Sequence, residues 1–305
     1  MLNNICNVEE DANLKEYNTY KINTSAKYLA FPNNIEELIN LLKYIKDNNM
    51  KYFIIGNGSN IILPDEKFDG VVISFKNLNN YKIEGNKVVC ESGVMLPKVA
   101  IDTINHSLKG LEWATGIPGT VGASVLGNAG AYLHEIMEYV DEIKVLDNDY
   151  NIVTLSKNDI TYGYRTTSLK EERKYIILEV TMTLEDGNIE ESRALVQDRL
   201  KRRMESQPLD YPSAGSVFRN PSKELPAGKI IEELGYKGKI VGGAEVSLKH
   251  ANFIVNKDNA KANDIKELID SIKKDVKEKY DIDLICEQEI INWWYLWKKE
   301  RKRYI

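Results

Sequence analysis

Residues 115–132 read TGIPGTVGASVLGNAGAY. Gly116, Gly119, Gly122, Gly127 and Gly130 punctuate the run, small side chains (Thr120, Ala123, Ser124, Ala129, Ala131) fill it, and no charge interrupts it. Glycine loses more conformational entropy on folding than other residues, so such a density needs a use for bare backbone. Two uses fit. Main-chain N–H groups can cradle a phosphate-bearing cofactor. Alternatively, Gly119, Ala123 and Gly127 recur every four residues, and with Pro118 opening a helix they form a flat face that presses on a sheet. The spacing is neither G-x-G-x-x-G nor a P-loop, so neither nucleotide fingerprint applies.

Toward the N-terminus, residues 26–31 read as a strand. Asn34-x-x-Glu37 is a capping box that opens a helix with Ile35, Leu38, Ile39, Leu42 and Ile45 on one face. Residues 51–56 are a second strand, completing a β-α-β unit. Gly56-Asn-Gly-Ser-Asn60 and the apolar Ile61–Leu63 follow as turn and strand. Asn57-Gly58 alone signals a hairpin; the alternative is an N–H nest for a pyrophosphate. Strands at 71–75, 81–84 and 87–91 and a helix at 97–108 lead into the glycine run. Beyond it lie a hairpin (142–146 with 152–155) and a long strand, 175–184. Many short strands with few helices give an α+β cofactor-binding half.

Composition shifts near residues 185–188. A basic helix containing Arg199, Lys201, Arg202 and Arg203 follows, and such a charge run reads as a solvated face. Residues 211–221 are loop, 229–234 a short helix, and 244–247 and 252–255 strands. Asp264-x-x-Glu267 caps a helix with Ile265, Leu268, Ile269, Ile272 and Val276 aligned. Residues 283–291 are the last strand of this second, α/β domain. The tail WWYLWKKERKRYI is aromatic, then basic; it is expected to pack on its own domain or be partly disordered, the sharper alternative being weak attachment to an anionic membrane surface.

The 305 residues suffice for two or three domains. Hydrophobic content of 43% and charged content of 29% are those of a soluble globular protein. The net charge of −5 argues against nucleic-acid binding. No basic-apolar leader opens the chain, and no apolar run approaches the roughly 18 residues of a membrane span. Cys6, Cys90 and Cys286 are scattered without a C-x-x-C, and His106, His134 and His250 lie far apart. These features lead us to expect a cytoplasmic protein with neither disulfides nor a metal site.

Three polar residues stand out. Arg165, in Tyr162-Gly-Tyr-Arg-Thr-Thr167, can clamp a carboxylate or phosphate, or simply reach into solvent. Ser216, in Tyr211-Pro-Ser-Ala-Gly-Ser-Val-Phe-Arg-Asn-Pro221, is not a G-x-S-x-G elbow, which disfavours an acyl-transfer nucleophile; otherwise it serves turn hydrogen bonding. Glu287 interrupts the apolar Leu284–Ile291, where a carboxylate tends toward a raised pKa and acid chemistry, unless it lies on the solvent face of an edge strand. Glu289 has the same parity.

In order, GNGSN, GIPGTVGASVLGNAGAY, YGYR, YPSAGSVFRNP and a final glutamate-bearing strand resemble UDP-N-acetylenolpyruvoylglucosamine reductase, from about Asn18 to Ile291. The resemblance implies an α+β fold: an FAD-binding part of the vanillyl-alcohol-oxidase type in two subdomains (1–80 and 81–187) and a C-terminal α/β substrate domain (188–305). Gly56, Asn57, Gly58, Ser59 and Asn60 would cradle FAD together with Gly116, Pro118, Gly119, Gly122, Gly127 and Asn128. Some related oxidases carry flavin covalently on a histidine beside the first turn; here that turn holds Asn57 and Asn60, so FAD is expected to be non-covalent. NADPH would be the co-substrate, the enolpyruvyl ether of UDP-N-acetylglucosamine the substrate and UDP-N-acetylmuramate, a peptidoglycan precursor, the product. Arg165, Ser216 and Glu287 fall on the catalytic positions: Arg165 and Glu287 facing the enolate, Ser216 donating the final proton. Arg219, Asn220 and His250 are expected beside the substrate. Asn23-Thr24 and His134 replace common glycines, and the compact 235–256 run marks the short form, without a tyrosine-bearing insertion. A monomer is expected. The competing readings are a sugar or lactone oxidase of the same fold and a nucleotide-binding regulator that has lost its chemistry.

Overall fold

The computed structural model describes residues 2–222 and 224–293. The first sheet contains β1 (Asn7–Asn13), β2 (Ser25–Phe31), β3 (Tyr52–Ile55) and, beyond the short β4 (Ile61–Ile62), β5 (Phe68–Ser74). Its spatial order is β1-β2-β5-β3. The β-α-β unit forms through α1 (Ile35–Asp47), but β5 lies between its two strands, parallel to both. The reason is burial: Val71, Val72 and Ile73 are all fully enclosed, and a continuous apolar run needs cover on both faces. β1 alternates little, is mostly exposed and takes an edge. At the start of α1 the Asn34 side chain accepts the Glu37 N–H (2.9 Å). The helix buries Leu38, Leu41, Leu42 and Ile45, so Leu41 joins the expected face while Ile35 and Ile39 are only partly covered.

The second sheet is antiparallel throughout. It comprises β6 (Tyr81–Glu84), β7 (Lys87–Glu91), β8 (Val140–Leu146), β9 (Ile152–Ser156) and β10 (Ile176–Thr183), in the order β9-β8-β10-β7-β6. Trp113, Val121, Val125, Ile143 and Val180 share its core with α2 (Leu96–Asn105) and α3 (Val121–Leu126). A short α4 (Ser168–Glu172) precedes β10. The basic helix α5 (Ile189–Ser206) is capped by Asn188. It is not solvated all round: Ser192 Oγ donates to Glu112 (2.7 Å), Arg199 lies over the Tyr132 ring, and Arg203 rests against Gly116. The expected solvated face covers the rest of the helix.

In the C-terminal part, α6 (Ala227–Glu233) and α7 (Ala262–Tyr280) enclose the small antiparallel sheet of β11 (Ile240–Val241), β12 (Ala244–Val246) and β13 (Ile254–Asn256). All five aligned residues of α7 are buried. Asp264 is not its cap, however. The helix starts two residues earlier, Asp264 bonds back to the Lys261 N–H (2.9 Å), and Asp65 from the first part accepts the Ala262 and Asn263 N–H groups (2.8 and 3.3 Å). The expected strand at 283–291 shortens to β14 (Glu289–Ile290), because Cys286 bridges Phe218 and Gln288 turns inward to bond Ala214 O, Gly215 O and Tyr20. β14 pairs in parallel with β4 as a separate two-stranded sheet, which stitches the C-terminal part to the N-terminal one. Trp293 completes that seam: its indole N–H donates to Glu66 O (2.9 Å) and its ring meets Phe53 and Phe68. Trp294, Trp297 and the basic residues Lys298, Lys299, Arg301, Lys302 and Arg303 lie outside the described residues. Among the described residues, no helix is long and apolar enough to cross a membrane.

Candidate active site

The 56–60 turn is not a hairpin. β3 pairs with β5, and β4 with β14, so the two flanking strands find different partners. Gly58 takes φ +62°, and a Cβ there would stand 2.2 Å from Tyr17 O. The turn is held from outside: Asn57 Nδ2 donates to Pro118 O (2.6 Å) and Asn60 Nδ2 to Glu287 O (3.1 Å). Glu289 N–H donates to Asn60 O (2.9 Å). The N–H groups of Asn57, Gly58, Ser59 and Asn60 themselves meet no acceptor among the described residues. Such a row of donors is a nest for an anion.

The glycine run spends several of its amides on its own packing. α3 opens on Thr120, whose hydroxyl accepts the Ala123 N–H, rather than on Pro118. Gly119, Val121, Gly122 and Ala129 spend their N–H groups on Ile117, Val94, Ser92 and Ser124. A Cβ at Gly122 would fall 1.7 Å from Ser92 Oγ, so this glycine is there for close packing. Asn128 is fully buried, donating to Gly163 O (2.9 Å) and accepting from Met137 N–H. Gly116 meets Arg203, and Gly119 faces Ser124 and Ser59. The run reaches the turn through Ala123, Leu126 and Gly127, which close a cleft against residues 53–61, Lys170 and Glu289.

Arg165 turns the corner between the two-residue strands Tyr162–Gly163 and Thr166–Thr167, at φ +62°. Its Nη2 donates to Gly130 O (2.6 Å) and its Nε to Glu287 Oε1 (3.1 Å). Both side chains are about one-fifth exposed, so neither lies on a solvent face. Burial raises the Glu287 pKa above the ordinary glutamate range, against the opposing pull of Arg165 first, then Arg219 and Lys170. Glu287 N–H donates to Val217 O (2.8 Å), which places Ser216 next to the Glu287 backbone contact. Ser216 is half-buried, and its hydroxyl has no partner among the described residues. Arg219 Nη2 donates to Arg165 O (3.1 Å), while its Nε is buried without a partner.

Asn220 and His250 are otherwise engaged. Asn220 Oδ1 accepts the Ala227 N–H (3.1 Å) at the start of α6, and Asn220 is exposed. His250 Nδ1 accepts the Asn252 N–H (3.2 Å), and its ring sits edge-on to Phe253. Burial, then the charge of Lys237, lowers its pKa and keeps it neutral. Lys170 and Glu289 carry no site signal in the sequence, yet they pair at 2.7 Å in the cleft wall. A five-residue α4 is too short to show a face, and Glu289 had only its parity with Glu287 to mark it. Arg203 is indistinguishable from its neighbours in the charge run, yet it lies against Gly116, and burial lowers its pKa.

A donor-lined turn beside a part-buried ion pair, its guanidinium (Arg165) from the FAD-binding half and its carboxyl (Glu287) from the C-terminal part, fits an FAD-dependent oxidoreductase with an added C-terminal domain. The description of an FAD binding domain matches residues 26–156, and that of the UDP-N-acetylenolpyruvoylglucosamine reductase C-terminal domain matches residues 207–291. The chain is 42% identical over 293 residues to the reductase of that name from Clostridium novyi (strain NT), covering 95% of each. It is 41% identical over 278 residues to that of Caldanaerobacter subterraneus subsp. tengcongensis, covering 91% of each. The crystal structure of UDP-N-acetylenolpyruvylglucosamine reductase from Thermus caldophilus superposes with a TM-score of 0.80 at 30% identity, over 94% of this chain and 100% of that one. The chain belongs to the UDP-N-acetylenolpyruvoylglucosamine reductase family. Its relatives favour that activity over a sugar or lactone oxidase.

Proposed function

We propose that this protein reduces the enolpyruvyl ether of UDP-N-acetylglucosamine to UDP-N-acetylmuramate for peptidoglycan synthesis, in the cytoplasm, with NADPH as reductant and dissociable FAD. The observation that carries the reading is the 3.1 Å Arg165–Glu287 pair beside the unsatisfied donors of the 56–60 turn. The turn, with Gly127 across the cleft, would hold the FAD; the glycine run sets the shape of its wall. Bound FAD supplies hydride transfer.

The residues of this chain do the rest. Hydride addition to an enolpyruvyl double bond builds negative charge on the adjacent carbon and its carboxylate. Arg165, fixed by Gly130 O and Glu287, offers fixed positive charge to that oxyanion without having to reorganise. Glu287, kept toward its neutral form by burial, can donate a hydrogen bond or a proton there. Ser216 delivers the proton that completes the lactyl ether; its hydroxyl is free to do so because no described residue engages it. Arg219, with a buried Nε lacking a partner, is the readiest of the three expected substrate contacts. The C-terminal residues 188–305 would hold the nucleotide sugar. The test is NADPH oxidation driven by the enolpyruvyl nucleotide, followed by the loss of NADPH absorbance. A chain that binds flavin but oxidises NADPH no faster with that substrate than without it refutes the assignment.

A further inference from the structure

The lining of the cleft beside the 56–60 turn contains a single cation, Lys170, and a single acid, Glu289. The two neutralise each other: Lys170 Nζ stands 2.7 Å from Glu289 Oε1, with the side chains 17% and 24% exposed. Both are fixed by backbone. Thr167 Oγ1 accepts the Lys170 N–H, and the same hydroxyl donates to Leu126 O (2.7 Å), pinning α4 to α3 in the cleft wall. Glu289 is tied through its own N–H to Asn60 O, a member of the donor turn. A second cation, Arg173 Nη2, lies 3.9 Å from the other carboxylate oxygen of Glu289.

The turn offers neutral donors only, whereas the diphosphate of a dinucleotide carries full negative charge. A charge-assisted bond is about twice as strong as a neutral one, and an ion pair this enclosed is weakly screened by salt. We infer that Lys170 is a phosphate ligand for the FAD diphosphate and that Glu289, competing for the same ammonium, sets how tightly the cofactor is held. The inference rests on the FAD reading of the cleft. It also makes cofactor affinity depend on a residue from the C-terminal strand, because the competitor arrives on β14 while the ammonium belongs to the FAD-binding half. Arg173 keeps the Glu289 carboxylate partnered when Lys170 turns to phosphate.

The test uses the full chain stripped of flavin, titrated with FAD and with riboflavin, which lacks phosphate, and read by flavin fluorescence. Lys170→Met should weaken FAD roughly ten- to a hundredfold, the worth of one hydrogen bond to a charged group, and leave riboflavin unchanged. Glu289→Gln should tighten FAD severalfold, with little dependence on salt concentration. Because Lys170→Met alone strands a carboxylate, the pair Lys170→Met/Glu289→Gln keeps the test sound if the single variant fails to fold. It should still bind FAD weakly and riboflavin normally. Native-like FAD affinity in the double variant overturns the inference. So does an equal loss for FAD and riboflavin, which marks a structural pair, or a change confined to the NADPH KM, which assigns the ammonium to the other dinucleotide. A native chain that binds neither flavin overturns the FAD reading itself.

Discussion

Glu287→Gln separates the charge of this side chain from its shape. In the native protein, burial lifts the Glu287 pKa although Arg165, Arg219 and Lys170 pull it down. A carboxyl whose folded pKa exceeds its unfolded value of about 4.3 binds its proton more tightly when folded. Its contribution to stability is therefore full below the unfolded pKa and is lost as pH rises through the folded one. Glutamine does not titrate, so the native chain minus the variant isolates this contribution. The native protein should lose stability relative to the variant from about pH 4 upward, with a limiting slope of about 1.4 kcal/mol per pH unit for one proton. The difference should level off once Glu287 is ionised. Glutamine still accepts from Arg165 Nε, and any change in that 3.1 Å bond shifts the whole curve without altering its slope. The assay is urea unfolding of both FAD-loaded proteins from about pH 4 to about pH 9. In stopped-flow flavin absorbance, reduction by NADPH should be near native while re-oxidation by the enolpyruvyl substrate slows by roughly 10²–10⁴-fold, as loss of a general acid typically does. If the native chain instead gains on the variant as pH rises, Arg165 outweighs burial, Glu287 is an ordinary ionised carboxylate, and its role as an acid is wrong.

Other expectations follow from single contacts. Ser216→Ala should leave flavin reduction by NADPH near native and slow re-oxidation by at least roughly 10²-fold, with Ser216→Cys retaining more activity; equal slowing of both halves would make Ser216 a structural residue. Gly58→Ala must place a methyl group 2.2 Å from Tyr17 O at a left-handed φ, and should cost about 1–3 kcal/mol in unfolding experiments and release flavin, so an unchanged Tm refutes the close approach. Asp65→Ala removes the acceptor for the first two N–H groups of α7 and should cost about 0.5–2 kcal/mol, largely recovered by Asp65→Asn. Denaturant midpoints that do not move would show that solvent caps this helix equally well.

What the sequence discloses and what it hides divide along a physical line. Periodic burial is local, so the stripes of α1 and α7 and the strands β8 to β10 can be read directly. The order of motifs along the chain likewise singles out Arg165, Ser216 and Glu287 as candidates, whereas each taken alone has an ordinary structural reading. Choice of partner is not local. Asn57-Gly58 is a sound hairpin signal, but β4 takes β14 from the far end of the chain, and the turn opens into a nest. β5 enters the β-α-β unit because its apolar run needs two covered faces, a demand that names no particular neighbour. Asp65 displaces Asp264 as the acceptor at the start of α7 for the same reason. The dense run suggests a phosphate cradle, yet most of its amides are spent on its own packing, while the sparse 56–60 turn keeps four amides free. A free donor is defined by the acceptor that did not arrive, and that depends on the whole fold. The Lys170–Glu289 pair is hidden for the complementary reason. Each residue lies in a segment too short to show a pattern, and only the meeting of α4 with β14 places one cation and one acid in the same cleft. Substitutions that act on amides and charges joined across distant segments should therefore change cofactor affinity and half-reaction rates more than global stability.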